Sequence, residues 1–227
     1  MVSLAWAGLL LLSSPGTCPL DAALQAEVRA LAGSDSLAQL YARGKTFAEF
    51  LSAAKARRET WHDNYSRLAV TGDWLQRARA VPGHWRLLVV AEDWCGDSAN
   101  TIPYLAQLSD SVASLELRIV NAQDGRWVME SHRTPDGRAA TPTVVLLDSV
   151  GAAAGCFVER PAALREWLDT NRPRRSEREL GRGRDEWRRR DRGHSTVREL
   201  VELLESAAAG RPRCGPTKQP DGSEAGH

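Results

Sequence analysis

A chain of 227 residues with a net charge of +1 can bury a core of ordinary size and feels no overall pull toward nucleic acid or an acidic membrane. Its four cysteines are scattered too widely for a dense disulfide framework or a zinc site. The five histidines have no metal-ligand spacing, and neither do Asp93, Asp97 and His132 taken together, so no metal and no cofactor is expected.

Residues 1–20 read as a signal-like or mis-started apolar leader. Leu4 to Leu12 resembles the apolar part of a secretory signal, followed by Ser13-Ser14-Pro15-Gly16, and is too short for a permanent membrane span. No Lys or Arg precedes it, no small-x-small cleavage site follows, and Pro15-Gly16-Thr17 fits poorly before a lipidated Cys18.

Residues 21–82 read as a helical N-terminal extension. Leu24, Val28 and Leu31 recur at helical spacing until Gly33, and a longer helix is predicted from Thr46 to Leu68. Phe47, Phe50, Leu51, Ala54, Trp61, Tyr65 and Leu68 mark its buried side. A short helix over Asp73–Ala80 stops at Val81-Pro82-Gly83. These helices are expected to be scaffold, since their polar residues show no convergent chemical set. Trp61, Trp74, Trp85 and Trp167 are expected to pack in the core.

Residues 83–171 alternate between strand and helix. The apolar run Leu87–Ala91 leads through Trp94-Cys95-Gly96-Asp97-Ser98 into a helix-like segment, Ala99–Leu108. Leu115–Val120 reads as a strand, Gly125–His132 as a helix and Thr134–Gly137 as a turn. Ala140-Thr141-Pro142-Thr143 opens a buried strand, Val144–Leu147, which a hairpin connects to Cys156–Glu159; Pro161 then starts a helix ending near Thr170. Strands separated by helices and closed by a hairpin predict an α/β fold, a mixed sheet of about four strands flanked by helices.

In residues 172–209 the arginines outnumber the acids over Arg172–Arg192, and helix-type ion pairs predict a solvated face. Trp187 alone interleaves this segment, which disfavours a nucleic-acid site. Ser195 is the expected N-cap of a closing helix with a stripe of Val197, Leu200, Val201 and Leu204. The tail 210–227 is expected to be disordered. Cys156 reads as a small buried hydrophobe, and a resolving role for it or for Cys214 is the minority reading.

The chemistry converges on Cys95. A strand that delivers a cysteine to the first turn of a helix places its sulfur against unpaired N–H groups and a positive dipole end, which favour the nucleophilic thiolate. Glu92, Asp93 and Asp97 oppose it: a carboxylate about 6 Å away at an effective dielectric near 40 costs a thiolate on the order of 1.4 kcal/mol. The helix end returns about 0.3–1 kcal/mol. Arg133 or Arg138 would tip that balance if either reached the thiol. Ser98 occupies the place of a second motif cysteine and cannot close an internal disulfide.

This order of elements, with Trp-Cys-x-x at a helix start and Thr-Pro before a strand, resembles the thioredoxin superfamily over roughly Leu40 to Ala208. It is most similar to a bacterial thioredoxin-like group with extra N-terminal helices and a single-cysteine motif. The resemblance implies that Cys95 attacks disulfides, with Ser98 beside it. It also implies that Thr141 precedes a cis-proline, Pro142, and offers its backbone to substrate, while Trp94, Gly96 and Asp97 line the contact surface. The buried carboxylate of thioredoxins would fall at Val89, so that proton relay is missing. Cys-Gly-Asp-Ser is also similar to the motif of one-cysteine glutaredoxins, which hold iron–sulfur clusters through glutathione. Trp94, the missing upstream lysine and the missing Gly-Gly loop argue against that kinship.

The expected function is a thiol–disulfide oxidoreductase with one nucleophilic cysteine and an external thiol for resolution. The alternative is a non-redox peptide-binding module. The expected partners are a disulfide-containing protein or a low-molecular-weight thiol, with neither nucleic acid nor a stable membrane span. The resemblance implies a cytoplasmic location, with export through the leader as the alternative.

Overall fold

The computed structural model describes residues 33, 36–67, 70 and 72–214. The leader, the helix expected before Gly33 and the tail beyond Cys214 lie outside the described residues. Helices α1 (residues 36–43), α2 (Phe47–Ala53), α3 (Arg58–Ser66) and α4 (Gly72–Ala80) precede strand β1 (Trp85–Val90). There follow α5 (Gly96–Ala99), α6 (Ile102–Ser111), β2 (Leu115–Val120), α7 (Arg126–Ser131), β3 (Thr143–Leu147) and β4 (Ala153–Val158). Helices α8 (Ala162–Asn171), α9 (Glu177–Asp191) and α10 (His194–Ala208) lead to a two-residue strand β5, Arg213–Cys214.

The sheet order is β2-β1-β3-β4-β5. β1 runs parallel to β2 and antiparallel to β3, β3 and β4 form the antiparallel hairpin, and β5 lies parallel to β4. Helices cover both faces of β1, which explains its unbroken apolar run. Because side chains alternate along a strand, Leu87 and Val89 enter one core with Trp61, Leu105 and Val201. Leu88 and Val90 enter the other with Leu40, Tyr41 and Val128. No helix among the described residues is long and apolar enough to cross a membrane.

Three expectations need correction. The helix expected over Thr46–Leu68 is broken at residues 54–57, with Arg57 left-handed at φ 53°. The reason is a tertiary bond: Asp93 Oδ2 accepts from the Lys55 and Ala56 N–H groups at 2.6 and 3.0 Å. Such a bond satisfies backbone donors that the helix would otherwise use. The expected disordered tail begins instead as strand β5, and Cys214 forms a disulfide with Cys156 across the sheet edge. Finally, α10 starts one residue before Ser195, with Gly193 as its cap at φ 83°. A Cβ there would lie 2.4 Å from the Tyr104 ring, so only glycine fits the turn that folds α9 back over the motif helix.

Candidate active site

Cys95 is the N-cap of α5, at the C-terminal end of β1, where the chain leaves the sheet. Its φ of −74° and ψ of 121° are the extended geometry that lets a side chain reach back to the helix N–H groups. The Ser98 N–H donates to Sγ at 3.5 Å, and Sγ itself donates to the Thr141 carbonyl at 3.3 Å. The Thr141–Pro142 peptide bond is cis. Cys95 is half-buried and is the free cysteine among the described residues. Trp94 beside it is 62% exposed, while Ser98 is fully buried with no hydrogen-bond partner for its hydroxyl. The structure thus brings Trp94, Cys95, Ser98, Thr141 and Pro142 together. Gly96 and Asp97 line a cleft beside the motif.

Each acid that threatened the thiolate has its own partners. Glu92 Oε1 accepts from the Ala122 N–H at 2.7 Å. Asp93 is held below the ordinary aspartate range by the N–H groups of Lys55 and Ala56, against a smaller opposing effect of burial. Asp97 is bound by two guanidiniums, Arg160 at 2.8 Å and Arg188, so its charge is neutralised next to the thiol. Arg160 also pairs with Glu159, and Glu159 with Arg138 at 3.2 Å. The Glu159 N–H donates to the Pro142 carbonyl at 2.7 Å, so this ionic chain ties the motif helix to the Pro142 loop.

Arg133 and Arg138 do not serve the thiol. Arg133 donates to the Gly137 carbonyl, and Arg138 is divided between Asp136 and Glu159. Asp136 is in turn pulled down to about 2, chiefly by the Arg138 hydrogen bond. The nearby cation is Arg57, set by the helix break. Its Nε donates to the Trp94 carbonyl at 2.7 Å. A Cβ built on Gly96 would lie 3.7–3.8 Å from its Cζ and both Nη atoms, so the guanidinium lies flat against the residue after the thiol. Arg57 makes no ion pair among the described residues.

Two more contacts fix the motif from below. Trp61, fully buried on α3, donates its indole N–H to the Asp93 carbonyl at 3.0 Å. Asn64, 2% exposed, donates to the Ala99 carbonyl at 2.8 Å and accepts from the Tyr104 hydroxyl at 2.9 Å. Helix α3 of the N-terminal extension therefore holds the motif backbone in place. The arginine-rich segment is corrected too: Arg188 turns inward to Asp97 with its side chain only 13% exposed. Periodicity within α9 could not reveal this, because its interior partner lies 91 residues away.

A thioredoxin family model matches residues 44–174, more than half of the chain. The chain belongs to the thioredoxin family. Its fold is similar to that of a Pseudomonas aeruginosa protein of unknown function, with a TM-score of 0.61 and 21% identity over 75% of this chain and 97% of that one. An HIV epitope-scaffold is similar to the same degree, at TM-score 0.61 and 21% identity over 74% and 97%. No curated protein matches it.

In thioredoxin terms, Cys95 and Ser98 bracket the motif turn, and Val89 is a fully buried valine in β1. Among the described residues His132, Cys156 and Cys214 form the one cluster of metal-ligand types, and there the two sulfurs are bonded to each other. Asp93, Asp97 and His132 form no such cluster.

Proposed function

We propose that this protein is a thiol–disulfide oxidoreductase that works through one nucleophilic cysteine, Cys95. The single observation that carries the reading is the pair of contacts at Sγ: a helix-start N–H on one side and the Thr141 carbonyl on the other. When the thiol loses its proton, the first contact strengthens as a charge-assisted bond and the second no longer has a proton to share. The Ser98 hydroxyl, buried beside the motif, has no partner of its own.

In the forward step Cys95 thiolate attacks one sulfur of a substrate disulfide. The new Cys95–S bond forms, the substrate S–S bond breaks, and the second substrate sulfur leaves as a thiolate that takes a proton from water. An external thiol then attacks the mixed disulfide, releases Cys95 and is itself oxidised. Ser98 has no sulfur for that second attack, and Cys156 and Cys214 are engaged with each other. Trp94 supplies an exposed aromatic surface for the substrate chain.

Incubation with 2-hydroxyethyl disulfide followed by peptide mass spectrometry tests the proposal. The expected product is a mercaptoethanol adduct on Cys95, removed by added free thiol. Binding of peptides to wild type and Cys95→Ser alike, with no adduct formed, would replace it by the peptide-binding reading, which the exposure of Trp94 favours.

A further inference from the structure

Beside the motif, α3 and α9 line a cleft of ≈ 560 Å³. That volume is in the range of small-molecule sites. Its floor is Gly96 and Asp97, the two residues that follow the thiol. Its walls carry five guanidiniums, namely Arg57 and Arg67 from one side and Arg184, Arg188 and Arg189 from the other. Only two carboxylates line it, Asp97 and Asp185.

Those two do not balance five cations. Asp97 is shared between Arg188 and Arg160. Asp185 stands 3.6 Å from Arg188 and 3.7 Å from Arg184. Arg189 is answered by Glu186 outside the cleft, and Arg67 by Asp63 at 3.9 Å, a pair that is largely exposed. Among the described residues Arg57 pairs with no carboxylate, and Arg184 Nε is buried without a hydrogen-bond acceptor. Five guanidiniums against two lining carboxylates leave this wall with more positive charge than its own acids compensate.

We infer that the cleft binds the anionic part of a low-molecular-weight disulfide or thiol that carries carboxylates, and so selects acidic substrates for Cys95. The inference rests on the thiol-exchange reading for its chemistry and on the cleft for its selectivity. A guanidinium fork holds one carboxylate through two parallel N–H···O bonds, so a cleft with several guanidiniums suits a compact thiol that carries more than one carboxylate. Arg57 spans both parts, since it touches the motif loop and the cleft. The covalent step is the one described above: one RS half of the acidic disulfide is transferred to Cys95 as the S–S bond breaks, the other half leaves as a thiol, and an external thiol then attacks the adduct, releasing Cys95 and becoming part of a new disulfide.

The test compares three disulfides at low ionic strength: glutathione disulfide as the acidic probe, 2-hydroxyethyl disulfide as the neutral one and cystamine as the basic one. Each rate is normalised to that of the same disulfide with free dithiothreitol. The acidic probe is expected to outrun the basic one by about tenfold or more, since complementary charge raises encounter rates. The ratio should fall to about threefold or less in Arg184→Gln/Arg189→Gln and at roughly 0.5 M salt, where screening is short-ranged. Arg190→Gln, which removes one charge from the outer side of α9, should keep the wild-type ratio. Equal normalised rates for all three disulfides overturn the cleft while leaving Cys95 chemistry standing. If no disulfide reacts, the exchange reading fails, and calorimetry of glutathione disulfide with Cys95→Ser decides the cleft separately. Binding there that is lost in the added Arg184→Gln/Arg189→Gln supports it, and no binding overturns it.

Discussion

Cys95 and Cys156 both sit on the sheet framework, yet one is free and the other is bonded. Cys156 lies inside β4, 2% exposed, and is joined to Cys214 on β5. Cys95 lies just past the end of β1, half-buried, with a helix N–H on its sulfur. A cysteine within a strand meets only neighbouring backbone already committed to the ladder. One at a strand-to-helix junction meets unpaired donors. The lesson is that position relative to the ends of elements, more than burial, separates the staple from the cysteine proposed as nucleophile.

The widest separation comes from removing each sulfur. Cys95→Ser should abolish disulfide exchange while leaving the melting temperature close to wild type. Cys156→Ser should do the reverse: exchange persists and stability falls. The bond spans 58 residues of chain, for which loop-closure entropy gives about 4 kcal/mol and measured cases run about 2–4 kcal/mol. Denaturant unfolding of the two variants checks both halves.

Arg57→Gln should come next in size. Removing a unit charge at roughly 6 Å in an effective dielectric near 40 costs a thiolate on the order of 1.4 kcal/mol. Alkylation of Cys95 by iodoacetamide at neutral pH should therefore slow by about three- to tenfold. The oxidised staple gives no signal in the same experiment.

Asp93 links the helix break to the motif, and its effect is acid-dependent. Its folded value is depressed, so its contribution is present above the unfolded aspartate value, near about 4, and is lost as pH falls through the lower folded value. Wild type should lose stability below about pH 4 more steeply than Asp93→Asn, as thermal melts across that range would show. A parallel decline would mean that Asp93 does not hold the loop through its charge.

Ser98→Ala should have the smallest effect. The hydroxyl has no partner, so its removal should leave stability within about 1 kcal/mol of wild type or raise it, because an unsatisfied buried donor is itself a cost. Exchange should slow by no more than a few-fold if the hydroxyl assists the thiolate. A large loss would make Ser98 a principal participant.

Much of this fold could be read in the sequence, because the signals there are local. The apolar run at Leu87–Ala91, the hairpin around Asp148 and the Thr-Pro step before β3 each announce themselves within a few residues. The motif placed Cys95 at a helix start for the same reason. What sequence could not show were partnerships across long separations. Asp97 looked like an acid that would silence the thiol, but Arg160 and Arg188, 63 and 91 residues away, neutralise it. Periodicity carried the helix of Thr46–Leu68 straight through residues 54–57, because the bond that breaks it comes from Asp93. The Cys156–Cys214 bond likewise depends on a two-residue strand too short to carry a pattern.

The most direct test of Cys95 as the nucleophile is the site of adduct formation under limiting disulfide. Protein purified without reductant would be treated with 2-hydroxyethyl disulfide, quenched with acid, digested and mapped by mass spectrometry. The account predicts an adduct on the Cys95 peptide alone, reversible by thiol, with the Cys156–Cys214 bond intact. An unmodified Cys95, or adducts that appear first on Cys156 or Cys214, would contradict it.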